Sequence, residues 1–214
     1  IFLSSIFNFK FLDNYRDKFS LKNININGLS YKEKKNIEEE LSNLKNINIF
    51  KITDKKVLEE LTKFNFIEII NVKKIIPSSI DVNLSKTQIL GKTFINGEEF
   101  HIGKNGKFIN SNQIYEKYNT PTVFGKFQIK EFLNLYNILN NQQLEIDNIE
   151  QYYFFKSRRW DLVFSNGLIL KLPSKNVVNS IKNYKKLLDN DNLTNTKIID
   201  LRVIDQIILT NKNE

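Results

Sequence analysis

The chain has 214 residues, of which 41% are hydrophobic, and its 32 Lys and Arg residues against 24 Asp and Glu give a net charge of +8. This length and composition predict a folded protein of one domain or two small ones and exclude a disordered chain. Without Cys and with a single His, disulfides and thiol chemistry are excluded, and zinc sites or His-based triads are hard to assemble. We therefore expect no metal, no cofactor and no enzymatic activity.

The first seven residues, Ile1-Phe2-Leu3-Ser4-Ser5-Ile6-Phe7, form an apolar run. The run alone is too short to span a bilayer, which requires about 20 apolar residues. Two interpretations stay open: the end of a transmembrane helix, or an ordinary buried first element. The lysines are spread along the chain among Asn, Ile and Glu, which predicts solvated faces and no nucleic-acid partner. A basic nucleic-acid-binding protein is kept as an alternative because of the net charge.

Residues 19–44 predict a strand followed by a helix. Residues 21–26 alternate apolar and polar side chains and end in the turn signal Asn27-Gly28. Ser30 and Glu33 have the spacing of a capping box, in which each side chain bonds the other residue's backbone amide. The helix that follows has one apolar stripe, formed by Ile37, Leu41 and Leu44.

Residues 53–84 add a second helix and two strands. The second helix begins near Thr53, residues 66–76 are rich in β-branched side chains, and residues 80–84 alternate again after the turn Pro77-Ser78-Ser79. The residues of the second helix predicted to face inward are Val57, Leu58 and Leu61. Two helices on one face of a three-stranded sheet form a β-α-α-β-β unit, and this unit resembles a POTRA domain.

After about residue 85 the pattern predicts a mostly antiparallel β-sheet unit with packed helices, so that the whole chain is α+β. Asn96-Gly97 and Asn105-Gly106 each suit a type I′ hairpin, in which both central residues need a positive φ. Helices are predicted over 129–139 and from Pro173 onward. The predicted strands are 92–95, 98–102, 107–109, 144–155, 158–164, 168–172 and 198–209, the last with a break at Asp205-Gln206 as an open alternative.

Two further features allow a functional or a structural interpretation. Arg158-Arg159-Trp160-Asp161 contains groups that stack on bases and bind phosphate, but Trp160 shares an apolar face with neighbouring strand residues, which favours core packing. Arg159 and Asp161 share the opposite face, where they would brace the sheet or contact a partner. His101 lies in a predicted strand without a recognisable catalytic partner, which favours a surface or hydrogen-bonded His over a general base.

The end of the chain is the most informative region for function. Residues 198–209 carry apolar side chains on both faces of a predicted strand. A terminal edge strand of this kind exposes unpaired backbone groups, to which a partner strand can add. An internal strand with a covered edge has the same periodicity, so both interpretations stay open.

The order of the segments resembles the FtsQ/DivIB family of bacterial cell division proteins. The segments that carry this resemblance are 19–28, 64–72 with Pro77, Arg159-Trp160-Asp161-Leu162 with Asn166-Gly167 and Lys171-Leu172-Pro173, and Ile199-Asp200-Leu201-Arg202. The sequence departs from the family pattern at Ser85-Lys86-Thr87-Gln88, where the family often has Glu-Arg-x-Pro, and at Ile204, where a Pro is expected.

The resemblance implies three segments and a location. Residues 1–18 would be the end of a transmembrane helix and a juxtamembrane linker, 19–87 a POTRA-like domain, and 88–211 an FtsQ-type β-domain. The protein would be a single-pass inner-membrane protein with its bulk in the periplasm, at the division septum.

The resemblance also implies a non-enzymatic scaffold that recruits division proteins, mainly of the FtsB and FtsL type, in part by strand addition at its terminal edge. Carried over to this sequence, the partner-binding residues are Arg202, Val203, Ile204, Asp205, Gln206 and Ile207 on the terminal strand, with Arg158 and Arg159 on a neighbouring strand. The alternative is a POTRA-containing component of protein transport or outer-membrane assembly.

Overall fold

The structure is a computed structural model that describes residues 18–190, 193, 195–203 and 206–212. These residues form two compact units: residues up to 87 together with 112–116 form the first, and the rest form the second. The segment predicted as a membrane-helix remnant and linker lies, apart from Lys18, outside the described residues. Within the described part of the chain, no helix has both the length and the apolar character needed to cross a bilayer.

The first unit has the predicted β-α-α-β-β order. Its elements are β1 (Asn23–Asn27), α1 (Tyr31–Leu41), α2 (Asp54–Leu61), β2 (Ile67–Ile75) and β3 (Ser79–Lys86). The sheet order is β1-β3-β2, with β1 parallel and β2 antiparallel to β3. Apolar stripes of both helices pack on this sheet, and the buried side chains include Leu21, Ile37, Leu41, Leu44, Val57, Leu61, Ile80 and Val82.

Helix starts in the first unit follow the predicted chemistry. The Ser30 backbone N–H donates to Glu33 Oε2 at 2.9 Å, which confirms the capping box. Thr53 caps α2 by accepting from the Lys56 backbone N–H at 3.2 Å. Leu58 was predicted to face inward, but this prediction is wrong: Leu58 is exposed, because Val57 and Leu61 at i and i+4 define the buried stripe and Leu58 lies about 100° around the helix from Val57.

The second unit is a nine-stranded sheet with two long helices. Its elements are β4 (Ile89–Ile95), β5 (Glu98–Gly103), β6 (Phe108–Asn110), β7 (Thr122–Phe124), α3 (Ile129–Asn141), β8 (Ile149–Phe154), β9 (Trp160–Phe164), β10 (Ile169–Lys171), α4 (Val177–Asn190), β11 (Thr196–Asp200) and β12 (Ile208–Asn211). The strand order is β12-β11-β10-β9-β8-β7-β4-β5-β6. Three neighbouring pairs are parallel (β10 with β11, β4 with β7, β7 with β8) and the others are antiparallel. This confirms the α+β class and the mostly antiparallel sheet.

An aromatic cluster forms the core of the second unit. Trp160 lies 4.7 Å from Phe154 between ring centroids, and Phe132 of α3 meets Tyr152 edge-on at 5.3 Å. Trp160 is buried together with Leu162 and Phe164, as its position on the apolar face predicted. The other face of β9 therefore carries Asp161, which matters for the site described below.

One of the two predicted type I′ hairpins is wrong. Asn96 and Gly97 have φ values of 52° and 87°, as the type I′ turn requires. At the second turn only Gly106 has a positive φ, of 79°, and the loop spans three residues because Gly103 N–H donates to the Lys107 carbonyl at 3.0 Å. The Asn105 side chain accepts from the Lys107 N–H at 3.2 Å, an Asx-type bond that holds Asn105 outside the left-handed region.

His101 is buried, and its Nδ1 has no hydrogen-bond partner among the described residues. The ring lies edge-on to Tyr118 at 6.0 Å, and burial lowers the pKa of His101 more than Glu99 raises it. The expectation of a surface His is therefore wrong, and Nδ1 departs from the expected hydrogen-bonded His. Tyr118 comes from the polar segment before β7, which sequence periodicity does not place over β5.

The buried His101 predicts a loss of stability in acid. Because the folded state lowers the pKa of His101, the unfolded chain binds the proton more readily, and stability falls as pH drops below about 6.5. Urea unfolding at pH 7.5 and 5.5 should show a larger loss for the natural chain than for His101→Gln. Equal losses in both proteins would contradict this prediction. Burial raises the pKa of Asp161, so this group changes the stability with the opposite sign as pH falls, and it does so in both proteins.

Candidate partner-binding edge

The strand β12 forms one edge of the nine-stranded sheet. Among the described strands it pairs only with β11, in the antiparallel register Asp200↔Ile208, Ile199↔Leu209 and Ile198↔Thr210. Ile208 and Leu209 point to opposite faces and are 46% and 43% exposed. Within the described part of the chain, β12 is therefore an open edge with large apolar side chains on both faces.

The backbone of β12 presents two residues outward. The Lys212 N–H donates to the Asn195 carbonyl at 2.9 Å, toward β11. Backbone groups alternate between the two sides of a strand, so Thr210 and Ile208 also point toward β11. It follows that the N–H and C=O groups of Leu209 and Asn211 point away from the sheet, where a further strand would pair with them.

Those of the predicted partner-binding residues that the structure describes do not lie in a strand. Arg202, Val203, Gln206 and Ile207 lie in the connection between β11 and β12, while Ile204 and Asp205 lie outside the described residues. The single predicted strand over 198–209 is thus wrong, and the alternative with a break is right. Strand β11 ends at Asp200 because the Asp200 side chain accepts from the Arg202 N–H at 3.0 Å. The Gln206 N–H then donates to the Val203 carbonyl at 3.3 Å, which forms a turn.

Arg202 is held against Asp200 by a charge-assisted pair. Arg202 Nε lies 2.8 Å from Asp200 Oδ1 and 2.9 Å from Oδ2. These hydrogen bonds lower the pKa of Asp200 and raise that of Arg202. Val203, the next residue in the connection, is 45% exposed and lines a groove together with Ile208 of β12.

Arg158 and Arg159 also lie outside the strands, in the turn between β8 and β9. Their predicted place on a strand is wrong because the Arg158 N–H donates to the Phe155 carbonyl at 2.8 Å and Arg158 has a φ of 60°, so β9 begins only at Trp160. Arg158 pairs with Glu131 of α3 at 3.0 Å.

Arg159 differs from Arg158 in its surroundings. Its guanidinium lies 4.3 Å from the Phe155 ring centroid, and its Nε is 3.6 Å from Asp161 Oδ1. Arg159 lines a groove of about 580 Å³ with Arg202, Val203, Ile208 and other residues, whereas Arg158 lines a different groove with Glu131 and Pro173. The structure thus brings together Arg159, Arg202 and Val203 of the predicted set, but not Arg158.

A row of alternating charges crosses the sheet beside this groove. Asp161, Lys171 and Asp200 are register partners on β9, β10 and β11. Burial raises the pKa of Asp161, and the nearby cations Arg159, Lys171 and Arg202 act against this rise. At one end of this row Arg202 is hydrogen-bonded to Asp200, and at the other end Arg159 lies within ion-pair distance of Asp161. Within the described ranges, no group of three or more His, Cys, Asp or Glu could hold a metal ion.

Sequence reasoning allowed a break before β12 but did not give the bounds of that strand. Residues 208–211 were merged with β11 or left after the predicted strand, so Leu209 and Asn211 were not among the predicted site residues. The available signal was the polar pair Asp205-Gln206 inside an otherwise apolar segment.

The fold and the edge define a two-domain α+β protein with an N-terminal POTRA-type domain. Sequence profiles agree with this class: "POTRA domain, FtsQ-type" matches residues 19–86, and "Cell division protein FtsQ/DivIB, C-terminal" matches residues 95–202. The chain belongs to the FtsQ/DivIB family of cell division proteins. This is not a known family of enzymes.

Individual relatives are distant but similar over most of the chain. The cell division protein FtsQ of Rickettsia bellii is 27% identical over 186 residues, covering 86% of this chain and 69% of that protein. The cell division protein DivIB of Macrococcus caseolyticus is 21% identical over 195 residues, covering 86% and 65%. This chain spans about two thirds of the length of both relatives.

A solved structure with a partial likeness is the major extracytoplasmic domain of the trans isomer of DivIB from Geobacillus stearothermophilus. It is 11% identical, with a TM-score of 0.33, and covers 50% of this chain and 99% of that one.

Proposed function

We propose that this chain is a non-enzymatic divisome scaffold that holds division proteins of the FtsB and FtsL type. The observation that carries the proposal is the open edge strand β12, with Ile208 and Leu209 exposed on its two faces. Membership of a cell division family supports the cellular process. An exposed edge with apolar side chains is the feature that partner strands use for β-addition.

The proposed contact has a backbone part and a side-chain part. A partner strand pairs with the outward N–H and C=O groups of Leu209 and Asn211, which supplies affinity with little dependence on sequence. Side chains near the edge supply specificity: Val203 and Ile208 offer apolar contacts, and Arg159 and Arg202 line the groove beside them. The connection 202–207 remains part of the proposed surface, with the edge strand added to it.

The proposed location is the division septum, with the chain attached to the inner membrane and its bulk in the periplasm. Family membership supports the septum. Residues 1–18 would end a membrane helix and form a linker, residues 19–87 would form the recruiting POTRA-type domain, and residues 88–211 the partner-binding β-domain. The apolar composition of residues 1–12 supports the membrane part of this proposal.

Val203→Glu tests the side-chain part of the contact. Val203 is 45% exposed in the connection, so the fold should tolerate a carboxylate there, while an apolar contact with the partner would be lost. We expect affinity for a soluble FtsB-type partner domain, measured by titration calorimetry, to fall at least about tenfold.

Leu188→Glu is the matched control for Val203→Glu. Leu188 is also 45% exposed and lies on α4, where it lines a different groove. The Leu188→Glu variant should bind the partner with the same affinity as the natural chain. Unchanged binding by Val203→Glu, or an equal loss in both variants, would remove the connection from the proposed surface.

A further inference from the structure

One end of the first unit brings two separate segments beside residues 19–22. Ile49 N–H donates to the Phe19 carbonyl at 2.8 Å, and Leu21 N–H to the Ile47 carbonyl at 2.9 Å. Lys22 N–H donates to the Ser78 carbonyl at 2.8 Å. The loop containing residues 45–51 and the turn between β2 and β3 therefore lie together at the point where β1 begins.

Large apolar side chains are exposed at this end. Phe50 is 62% exposed, although its ring meets that of Phe19 with centroids 5.5 Å apart. Ile76 and Ile75, in and before the β2–β3 turn, are 50% and 41% exposed. Two of these side chains lie in adjacent connections and the third, Ile75, ends β2. Three together are more than the scattered single exposures expected of a soluble surface, and they indicate a surface with a partner.

The same end carries an excess of Lys residues. Residues 18–27, 42–53 and 69–80 contain six Lys residues, and the acidic residues directly beyond these ranges are Asp17, Asp54, Glu68 and Asp81. Lys18, Lys22, Lys45 and Lys51 are exposed. We name this set of exposed lysines with Phe50, Ile75 and Ile76 the lysine-rich end.

The sequence just before this end is apolar. Eight of residues 1–12 are Ile, Leu or Phe, and five residues separate them from Lys18. An extended chain of five residues spans at most about 18 Å. Whatever environment receives the apolar segment therefore lies within reach of the lysine-rich end.

We infer that the lysine-rich end rests on an anionic lipid surface. Aromatic and aliphatic side chains among lysines are the combination that binds a membrane interface: apolar groups enter the headgroup region, and ammonium groups pair with anionic lipids. The charge also decides against a second copy of this chain as the occupant, because two such ends would repel each other. This contact is independent of the partner that β12 binds.

Fluorescence of a single introduced Trp tests the contact in the whole chain. Phe50→Trp places the reporter in the lysine-rich end, and Tyr31→Trp is the matched control, because Tyr31 is highly exposed but follows the far end of β1. The natural Trp160 is buried and gives the same background in both variants. Vesicles contain phosphatidylglycerol and phosphatidylcholine, with brominated acyl chains as quencher.

The expected result is that the reporter at position 50 shifts to shorter wavelength and is quenched on these vesicles, while the reporter at position 31 is not. Pure phosphatidylcholine vesicles, or the added changes Lys22→Gln, Lys45→Gln and Lys51→Gln, should abolish the quenching. Equal quenching at both positions would mean unspecific adsorption, and no quenching at position 50 would mean no contact. A blue shift without vesicles that grows with protein concentration would assign the surface to self-association. Quenching that survives loss of the anionic lipid or of the lysines would also overturn the inference.

Discussion

Replacing Leu209 with proline should abolish partner binding while the chain stays folded. The N–H of Leu209 points away from β11, so proline removes a donor that only an added strand would use, and its ring obstructs that strand. Leaving the partner strand's carbonyl without this donor costs about 1–3 kcal/mol, or at least about tenfold in affinity, and the conflict with the proline ring adds to this loss. Calorimetry with an FtsB-type partner domain measures the affinity, and circular dichroism checks the fold.

Two control variants separate backbone from side-chain effects at this edge. Leu209→Ala keeps the outward amide and should retain most of the binding. Thr210→Pro removes an amide that points toward β11 and should destabilise the β11–β12 pair. If Leu209→Pro binds as tightly as Leu209→Ala, strand addition at β12 is not the mode of binding.

Gly28→Ala should be among the most destabilising single changes in the first unit. Gly28 has a φ of 89°, and a Cβ there would lie 1.9 Å from the Leu84 carbonyl oxygen on β3. A side chain in this backbone region costs about 1–2 kcal/mol, and the forced displacement of β3 adds about 1–3 kcal/mol, for a total of about 2–5 kcal/mol. Trp160 lies in the second unit, so its fluorescence does not report on unfolding of the first. Hydrogen exchange of the backbone amides of β3 is therefore the suitable measurement.

Gly97→Ala is the matched control for Gly28→Ala. Gly97 has nearly the same φ, 87°, but a Cβ there would meet no atom within 4 Å. It should cost only the backbone strain of about 1–2 kcal/mol. An equal loss of stability in the two variants would show that the close approach of Gly28 to β3 does not contribute to the effect of Gly28→Ala.

The sequence predicts the first unit well because its signals are local. The capping box at Ser30, the alternation around Val82 and the turn at Gly28 each depend on residues close in sequence. The clash that Gly28 avoids is different, since it involves Leu84 on another strand. The sequence pattern indicates a turn at Gly28. It does not show that a side chain there would meet the Leu84 carbonyl oxygen.

Several features of the second unit depend on residues that are distant in sequence, so local sequence signals do not predict them. The parallel pairing of β10 with β11 joins residues distant in sequence, so no hairpin signal marks it. The β11–β12 connection has no Gly or Pro, and its turn depends on the Asp200 side chain and its pairing with Arg202. Residues 198–209 therefore have the periodicity of one long strand. Arg159 and Arg202 were predicted as site residues, but their common groove follows from the sheet order.

Amide hydrogen exchange of the chain with and without an FtsB-type partner domain tests strand addition at β12 most directly. The outward amides of Leu209 and Asn211 should gain strong protection in the complex, while those of Ile208 and Thr210, already directed toward β11, change less. A complex that forms without added protection at Leu209 and Asn211 would contradict the account.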